Sequence, residues 1–124
     1  MNIMIDYNTE APIYEQIYQQ IRDSIVQEII LAHDKLPSIR FLAKELQVSV
    51  ITTKTAYEDL EKEGYIYTVK GKGGNVSQLN KNEIQETYTQ EIQTLMKDII
   101  ELARTSKISD EDLLKMFKKV KEEK

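Results

Sequence analysis

Lysine and arginine side chains in the middle of the sequence could neutralise the phosphates of a nucleic acid backbone. They are Arg40, Lys44, Lys54, Lys70 and Lys72. The acidic residues of the same region, Glu58, Asp59, Glu61 and Glu63, follow together on one later stretch. Because basic side chains that neutralise phosphates release condensed counterions, this separation favours a nucleic acid partner. We expect the acids to lie where their helix faces away from the phosphates.

The composition excludes most catalytic chemistry. The chain of 124 residues has no cysteine and a single histidine, His33, so a metal site would have to be built from carboxylates alone. The stretch Gly71–Gly74 lacks the lysine and hydroxyl ending of a nucleotide-binding loop. We therefore expect no enzyme, no metal and no cofactor.

Size and hydropathy are typical of a small soluble protein. A chain with 40% hydrophobic and 31% charged residues suits one domain with a short appendage. No apolar run approaches the roughly 20 residues that span a bilayer, and the N-terminus has no signal pattern. These features predict a cytoplasmic protein without a membrane partner. Since the net charge is −4, cations that bind DNA must be focused on one face.

Helices are predicted to position the basic residues. Apolar spacings of three and four predict a helix over residues 11–28, with Pro12 at its start. The next segment, residues 28–36, could be the end of this helix or a short strand. Ser38 follows a proline and is expected to cap a second helix. The inward side chains of that helix are Ile39, Leu42, Ala43 and Leu46.

A tight turn and a second serine cap, Ser49, predict a third helix close behind the second. Its inward side chains are Thr53, Ala56, Tyr57 and Leu60. Gly64 is expected to end it, because glycine tolerates the left-handed conformation found after helices. Two helices joined by so short a turn are typical of a helix-turn-helix.

A β-hairpin is predicted to follow as a wing. Residues 65–69 are aromatic or β-branched, residues 70–74 form a cationic, glycine-rich tip, and residues 75–77 could return as a strand. Tyr65 and Tyr67 could be core residues of the first strand, or one of them could reach a phosphate through its hydroxyl.

The C-terminal part of the chain is predicted to form two helices. A long helix begins near Asn82, and Ser109 with Asp112 forms a capping box for a last helix. Since two helices alone cannot enclose a core, we expect their apolar stripe to form a seam with a second copy of the chain. The residues expected in this dimer interface are Tyr88, Ile92, Leu95, Ile99, Leu102, Leu113 and Phe117.

The predicted fold class is mainly α with a small β-hairpin wing. An N-terminal winged helix-turn-helix domain is expected over residues 1–78, and a C-terminal helical hairpin for dimerisation over residues 79–124.

The stretches PIYEQIYQQI, KLPSIRFLAKELQVS, TAYEDLEKEGYI and GKGGNV occur in this order. Together they resemble the winged helix-turn-helix of the GntR family of bacterial transcription regulators, over residues 10–77. The tail is similar in length and pattern to that of the YtrA branch, whose two short helices serve dimerisation. The resemblance implies a homodimeric repressor that binds an inverted-repeat operator. By analogy, it also suggests control of a neighbouring transporter operon.

The resemblance implies which residues contact double-stranded DNA. Arg40 would contact the operator, and Lys54 stands where the family commonly has an arginine. Lys70 and Gly71 would place the wing tip in or over the minor groove. The full set of predicted DNA-binding residues is Ser38, Arg40, Ser49, Val50, Ile51, Thr52, Lys54, Lys70, Gly71 and Lys72.

Several positions depart from the family pattern. Val50 replaces the arginine that most often follows the cap, and Ile51 replaces a small polar residue. Both side chains could pack against the methyl group of thymine, whereas neither can read guanine. The usual Thr-Phe-Val ending of the wing reads Gly74–Val76, and Ala32 and His33 stand where a Pro-Gly turn is common.

The net acidity and Val50 favour an alternative hypothesis, in which the chain is a winged-helix protein-interaction module without DNA binding. The sequence identifies no small-molecule effector.

Overall fold

The computed structural model describes residues 2–123 as a mainly helical chain with a small wing, as predicted. Its elements are α1 (Ile13–Val26), α2 (Ile39–Leu46), α3 (Val50–Lys62), β1 (Ile66–Val69), β2 (Gly73–Val76), α4 (Lys81–Thr105) and α5 (Asp110–Glu122). They form two compact units, which divide between Asn80 and Lys81. No helix within residues 2–123 is long and apolar enough to cross a bilayer.

The first unit is built around α3, against which both α1 and α2 pack. α1 is shorter than the predicted residues 11–28, and its buried side chains are Ile17, Ile21 and Ile25. The buried side chains of α3 are the predicted ones, Thr53, Ala56, Tyr57 and Leu60. Burying each large apolar side chain contributes about 1.5–3 kcal/mol, so this shared core fixes which face of α3 remains exposed.

Tyr57 connects α3 to the residue that precedes the cap of α2. Its hydroxyl donates a hydrogen bond of 2.7 Å to the carbonyl oxygen of Pro37. Burial raises the pKa of Tyr57, so the hydroxyl stays protonated and keeps its role as donor. Because a buried polar group without a partner costs about 1–3 kcal/mol, this bond holds the start of α2 against α3.

The predicted tight turn between α2 and α3 is confirmed. The N–H of Val48 donates to the carbonyl of Ala43 at 3.0 Å, and Gln47 adopts a left-handed conformation with a φ of 57°. This is a Schellman motif, in which a left-handed residue lets the chain leave the helix while the last carbonyls stay paired. Gly64 ends α3 as predicted, with a φ of 84°.

The segment between α1 and α2 lies beside β2 and adds an edge to the wing. The N–H of His33 donates to the carbonyl of Val76 at 2.7 Å. Further along, Lys35 forms an isolated β-bridge with Asn75. The sequence left open whether residues 28–36 end the first helix or form a short strand. The end of this segment pairs with β2 as a strand would, but only through the single bridge at Lys35.

The wing is a two-stranded antiparallel hairpin in which Ile66 lies opposite Val76. β2 begins earlier than the predicted residues 75–77. A Cβ added at Gly74 would lie 3.7 Å from the side chains of both Ile66 and Leu36. These two side chains and the buried Val76 therefore supply the packing under the wing that the family's usual ending would otherwise provide.

The N-terminal segment lies along α1, a feature that the sequence analysis did not predict. Gln20 accepts a hydrogen bond from the N–H of Met4 at 2.9 Å and donates to the carbonyl of Met4 at 2.8 Å. Gln16 makes the same pair of bonds with Asp6, at 2.8 and 2.9 Å. A glutamine amide carries both a donor and an acceptor. Each side chain can therefore pair with the backbone N–H and carbonyl of one residue, as the backbone of a neighbouring strand would.

The second unit consists of α4, a short turn and α5. The N–H of Ile108 donates to the carbonyl of Ala103 at 2.8 Å, and Lys107 is left-handed with a φ of 59°. The predicted cap of the last helix is present, since the hydroxyl of Ser109 accepts a hydrogen bond from the N–H of Asp112 at 3.1 Å.

We predict that Gln20→Ala lowers the free energy of unfolding by about 1–2 kcal/mol, because it removes both bonds to Met4. Gln19→Ala is the matched control, since Gln19 is the exposed neighbour on the same helix. Urea denaturation of the two variants measures the difference. An equal loss of stability in both would show that the bonds to the N-terminal segment contribute nothing.

Candidate nucleic-acid interface

Two serine caps set the start of each helix of the helix-turn-helix. The hydroxyl of Ser38 accepts a hydrogen bond from the N–H of Phe41 at 3.1 Å. The hydroxyl of Ser49 accepts from the N–H of Thr52 at 3.0 Å and donates to the hydroxyl of Thr52 at 2.7 Å. Both serines therefore act as the predicted N-caps, and the hydroxyl of Thr52 is engaged within the helix.

The first turn of α3 presents apolar side chains to the solvent. Val50 is 39% exposed and Ile51 is 76% exposed. The sequence alone also allows a core role for Ile51, and this exposure excludes it. The Oγ1 of Thr55 donates to the carbonyl of Ile51 at 3.0 Å, which directs its hydroxyl hydrogen back into the helix.

A cleft of about 290 Å³ gathers part of the predicted site between α2, α3 and the wing. Of the predicted DNA-binding residues, Ser38, Arg40 and Lys54 line it. Because these residues come from two helices, their proximity depends on the packing of α2 against α3. The cleft thus brings a helix N-terminus and two cations to one place, a combination that suits a phosphate group.

The other two cations of the predicted DNA-binding set, Lys70 and Lys72, lie at the tip of the wing and do not line this cleft. Lys70, Gly71 and Lys72 are all exposed. The N–H of Lys72 closes the turn by donating to the carbonyl of Val69 at 2.8 Å, and Gly71 has a φ of 79°. A glycine suits this conformation, and its lack of a side chain also allows the backbone to approach a partner closely.

Five basic residues that the sequence analysis singled out have no acidic partner within the described part of the chain. Within residues 2–123, the structure gives no ion pair to any of them. They are Arg40, Lys44, Lys54, Lys70 and Lys72. Binding a phosphate would therefore break no existing ion pair.

The expectation that the acids of α3 all face away is wrong for Glu58 and Glu61. Both line the same cleft as Arg40 and Lys54. The hydroxyl of Thr68 on β1 donates to Glu61 at 2.7 Å, so Glu61 links α3 to the wing. Glu58 and Glu61 lie four and seven residues after Lys54, and this spacing could have revealed their place, since such positions share a helix face.

The two tyrosines left open by the sequence both have structural partners. Tyr65 is buried, and its ring meets the edge of the Tyr18 ring at a centroid distance of 6.5 Å. The hydroxyl of Tyr67 forms a hydrogen bond of 2.9 Å with Nδ1 of His33. His33 has a φ of 70°, which explains why a Pro-Gly turn can stand at this position in the family.

The second unit exposes an apolar stripe along α4. Its predicted members Ile92, Leu95, Ile99 and Leu102 are each at least 49% exposed. Two further apolar residues that the sequence analysis did not include, Met96 and Ile100, widen the stripe and are also exposed.

The other predicted interface residues differ in exposure. Tyr88 of α4 and Leu113 of α5 are half-buried, whereas Phe117 of α5 is largely exposed.

Comparison with known proteins identifies the family. The model for bacterial regulatory proteins of the gntR family matches residues 13–76. The HTH-type transcriptional repressor YtrA of Bacillus subtilis strain 168 is 35% identical over 118 residues, which cover 95% of this chain and 91% of that protein. A GntR family transcriptional regulator from Listeria monocytogenes is 33% identical with a TM-score of 0.74, over 91% of this chain and 98% of that one.

A solved protein–DNA complex also shares the fold of the first unit. The DNA-binding domain of AraR, in complex with operator ORX1, has a TM-score of 0.55 and 29% identity. The similarity covers 62% of this chain and 96% of that domain. The relatives are transcriptional regulators, not enzymes. This chain accordingly belongs to the GntR family of bacterial regulatory proteins and is a transcriptional regulator with a DNA-binding winged helix-turn-helix.

Proposed function

We propose that this regulator is a homodimeric repressor that binds an inverted-repeat operator. The observation that carries the proposal is the cleft in which Arg40 and Lys54 meet at the N-terminus of α2, beside a helix α3 whose first turn is exposed. The B. subtilis relative is named a repressor, and the AraR domain was solved on an operator, which supports both parts of the proposal.

The first turn of α3 would enter the major groove. Only its outer face is exposed, because the opposite face is buried in the core. Val50 and Ile51 would pack against thymine methyl groups there, since they offer no hydrogen-bonding group to a base edge. Ser49 caps the helix, and free N–H groups at a helix N-terminus suit phosphate.

Cations on α2, α3 and the wing would fix the position of α3 by contacting phosphates. Arg40 and Lys54 flank the cleft, and Lys70 with Lys72 would hold the wing tip over the adjacent minor groove. Such contacts position a protein on DNA without reading its sequence. The local basic face explains how a chain with a net charge of −4 binds DNA.

A second copy of the chain would cover the apolar stripe of α4. The helix has 25 residues, so it is about 38 Å long at 1.5 Å per residue. The apolar stripe occupies residues 92–102, or about 15 Å of this length. Such a contiguous exposed apolar surface is unfavourable in water, and twofold symmetry lets the same stripe serve both partners. Paired DNA-binding units would then meet half-sites about one helical turn, or roughly 10 bp, apart.

We predict that Lys70→Ala and Lys72→Ala each reduce the slope of log affinity against log salt by about one unit, because each removes one phosphate contact. Gel shifts at several salt concentrations measure the slope, with Lys118→Ala on α5 as the control. A wild-type chain whose DNA binding did not weaken with salt would instead favour the protein-interaction module. A loss confined to one operator sequence would mean that the wing reads bases.

Leu95→Asp combined with Ile99→Asp is expected to produce monomers, because it places charges in a desolvated interface. The matched control is Gln90→Asp with Thr94→Asp, which has the same spacing on the opposite face of α4. Sedimentation distinguishes the two forms. An intact dimer in the first double variant would contradict the assignment of this stripe as the seam.

Val50→Arg should shift the preferred base toward guanine at one position of the half-site by about 1–3 kcal/mol, since arginine can bond O6 and N7 of guanine. Randomised-site selection with both proteins provides the measurement. We expect the wild type to select a half-site rich in A·T pairs. Identical half-sites for the two proteins would show that residue 50 does not face the bases.

A further inference from the structure

One outward row of α3 continues beyond the residues that the sequence placed against DNA. Ile51, Thr55 and Glu58 follow one another at spacings of four and three, so they lie on one face of the helix. Thr55 and Glu58 also line one shallow depression of the surface. The row therefore runs from the apolar first turn to a carboxylate.

The carboxylate of Glu58 is the first strong acceptor along this row. The hydroxyl of Thr55 already donates to the carbonyl of Ile51, and Ile51 offers only carbon atoms beyond its backbone. Within residues 2–123, Glu58 has no hydrogen bond or ion pair of its own. Its acceptor capacity is therefore available to a partner.

Lys54, one turn earlier, does not occupy this acceptor. The two residues are four apart, yet they form no ion pair within the described chain. A lysine that precedes a glutamate at this spacing is the less favourable order of the pair in a helix. Lys54 can therefore contact a phosphate while Glu58 remains free to meet a base.

A carboxylate that enters the major groove needs a donor from a base, because it is otherwise desolvated beside phosphates. Cytosine presents its N4 amino group there as a donor, and glutamate is a known partner of that group. Adenine also offers an amino group, but its N7 acceptor lies next to it and repels a carboxylate. Cytosine is therefore the base that Glu58 suits best.

We propose that Glu58 is a specificity-determining residue that selects cytosine in each half-site, an inference that rests on the proposed operator binding. Ile51 and Glu58 are seven residues apart, or about 10.5 Å along the helix at 1.5 Å per residue. This separation places the cytosine at a different base pair from the thymine that Ile51 contacts.

The test is randomised-site selection with the full chain as wild type, Glu58→Gln and Glu63→Gln. Glutamine has nearly the same shape but pairs with adenine, so Glu58→Gln should replace the cytosine by adenine and lower the relative affinity for cytosine by about tenfold. The thymine position should stay unchanged. Glu63→Gln is the matched control, because Glu63 is the C-cap residue of the same helix, is exposed and does not line the cleft, so it should leave the selected sequence unaltered.

The outcomes separate this inference from the proposed function. If the wild type selects a half-site and Glu58→Gln selects the same one, the role of Glu58 is overturned while operator binding stands. If Glu63→Gln causes the same shift, the effect belongs to the loss of one negative charge and the base contact is again refuted. A wild type that selects no sequence overturns both proposals. Thermal melts of all three proteins should coincide, since both glutamates are exposed.

Discussion

The placement of α2 against α3 depends on their shared apolar core and on one hydrogen bond within the pair, from the hydroxyl of Tyr57 to the carbonyl of Pro37. It joins the middle of α3 to the residue before the cap of α2, and Tyr57 itself is a buried residue of the core. Since α2 can then approach α3 in only one way, Ser38 and Arg40 face the same cleft as Lys54. The arrangement of the basic face follows from this packing.

The wing is held in place from three directions. β2 pairs with β1 on one side and with the segment before α2 on the other. Thr68 of the wing donates to Glu61 of α3, and Tyr67 bonds to His33. These links restrain the strands, whereas the tip at Gly71 has no side chain to restrain it. A firm base with an adaptable tip suits a wing that follows a phosphate backbone.

The charge distribution combines attraction with selectivity. Within residues 2–123, no ion pair is formed by the cations Arg40, Lys44, Lys54, Lys70 and Lys72, while the chain as a whole carries a net charge of −4. A net negative charge disfavours nonspecific binding to nucleic acid, so only the basic face gains by contact. The two glutamates in the cleft add to this selectivity, because their negative charges repel phosphates and limit how many can approach the cleft.

The sequence by itself determined the elements that rest on local rules. Helical spacing, the serine caps at Ser38 and Ser49 and the stop at Gly64 act within a few residues, so α2, α3 and the wing were predictable. Only the tertiary structure decided which distant groups meet. The N-terminal segment pairs with Gln16 and Gln20, and Glu58 and Glu61 share a cleft with Arg40. Such contacts join residues far apart in the chain, and nothing in the local pattern of either partner specifies the other.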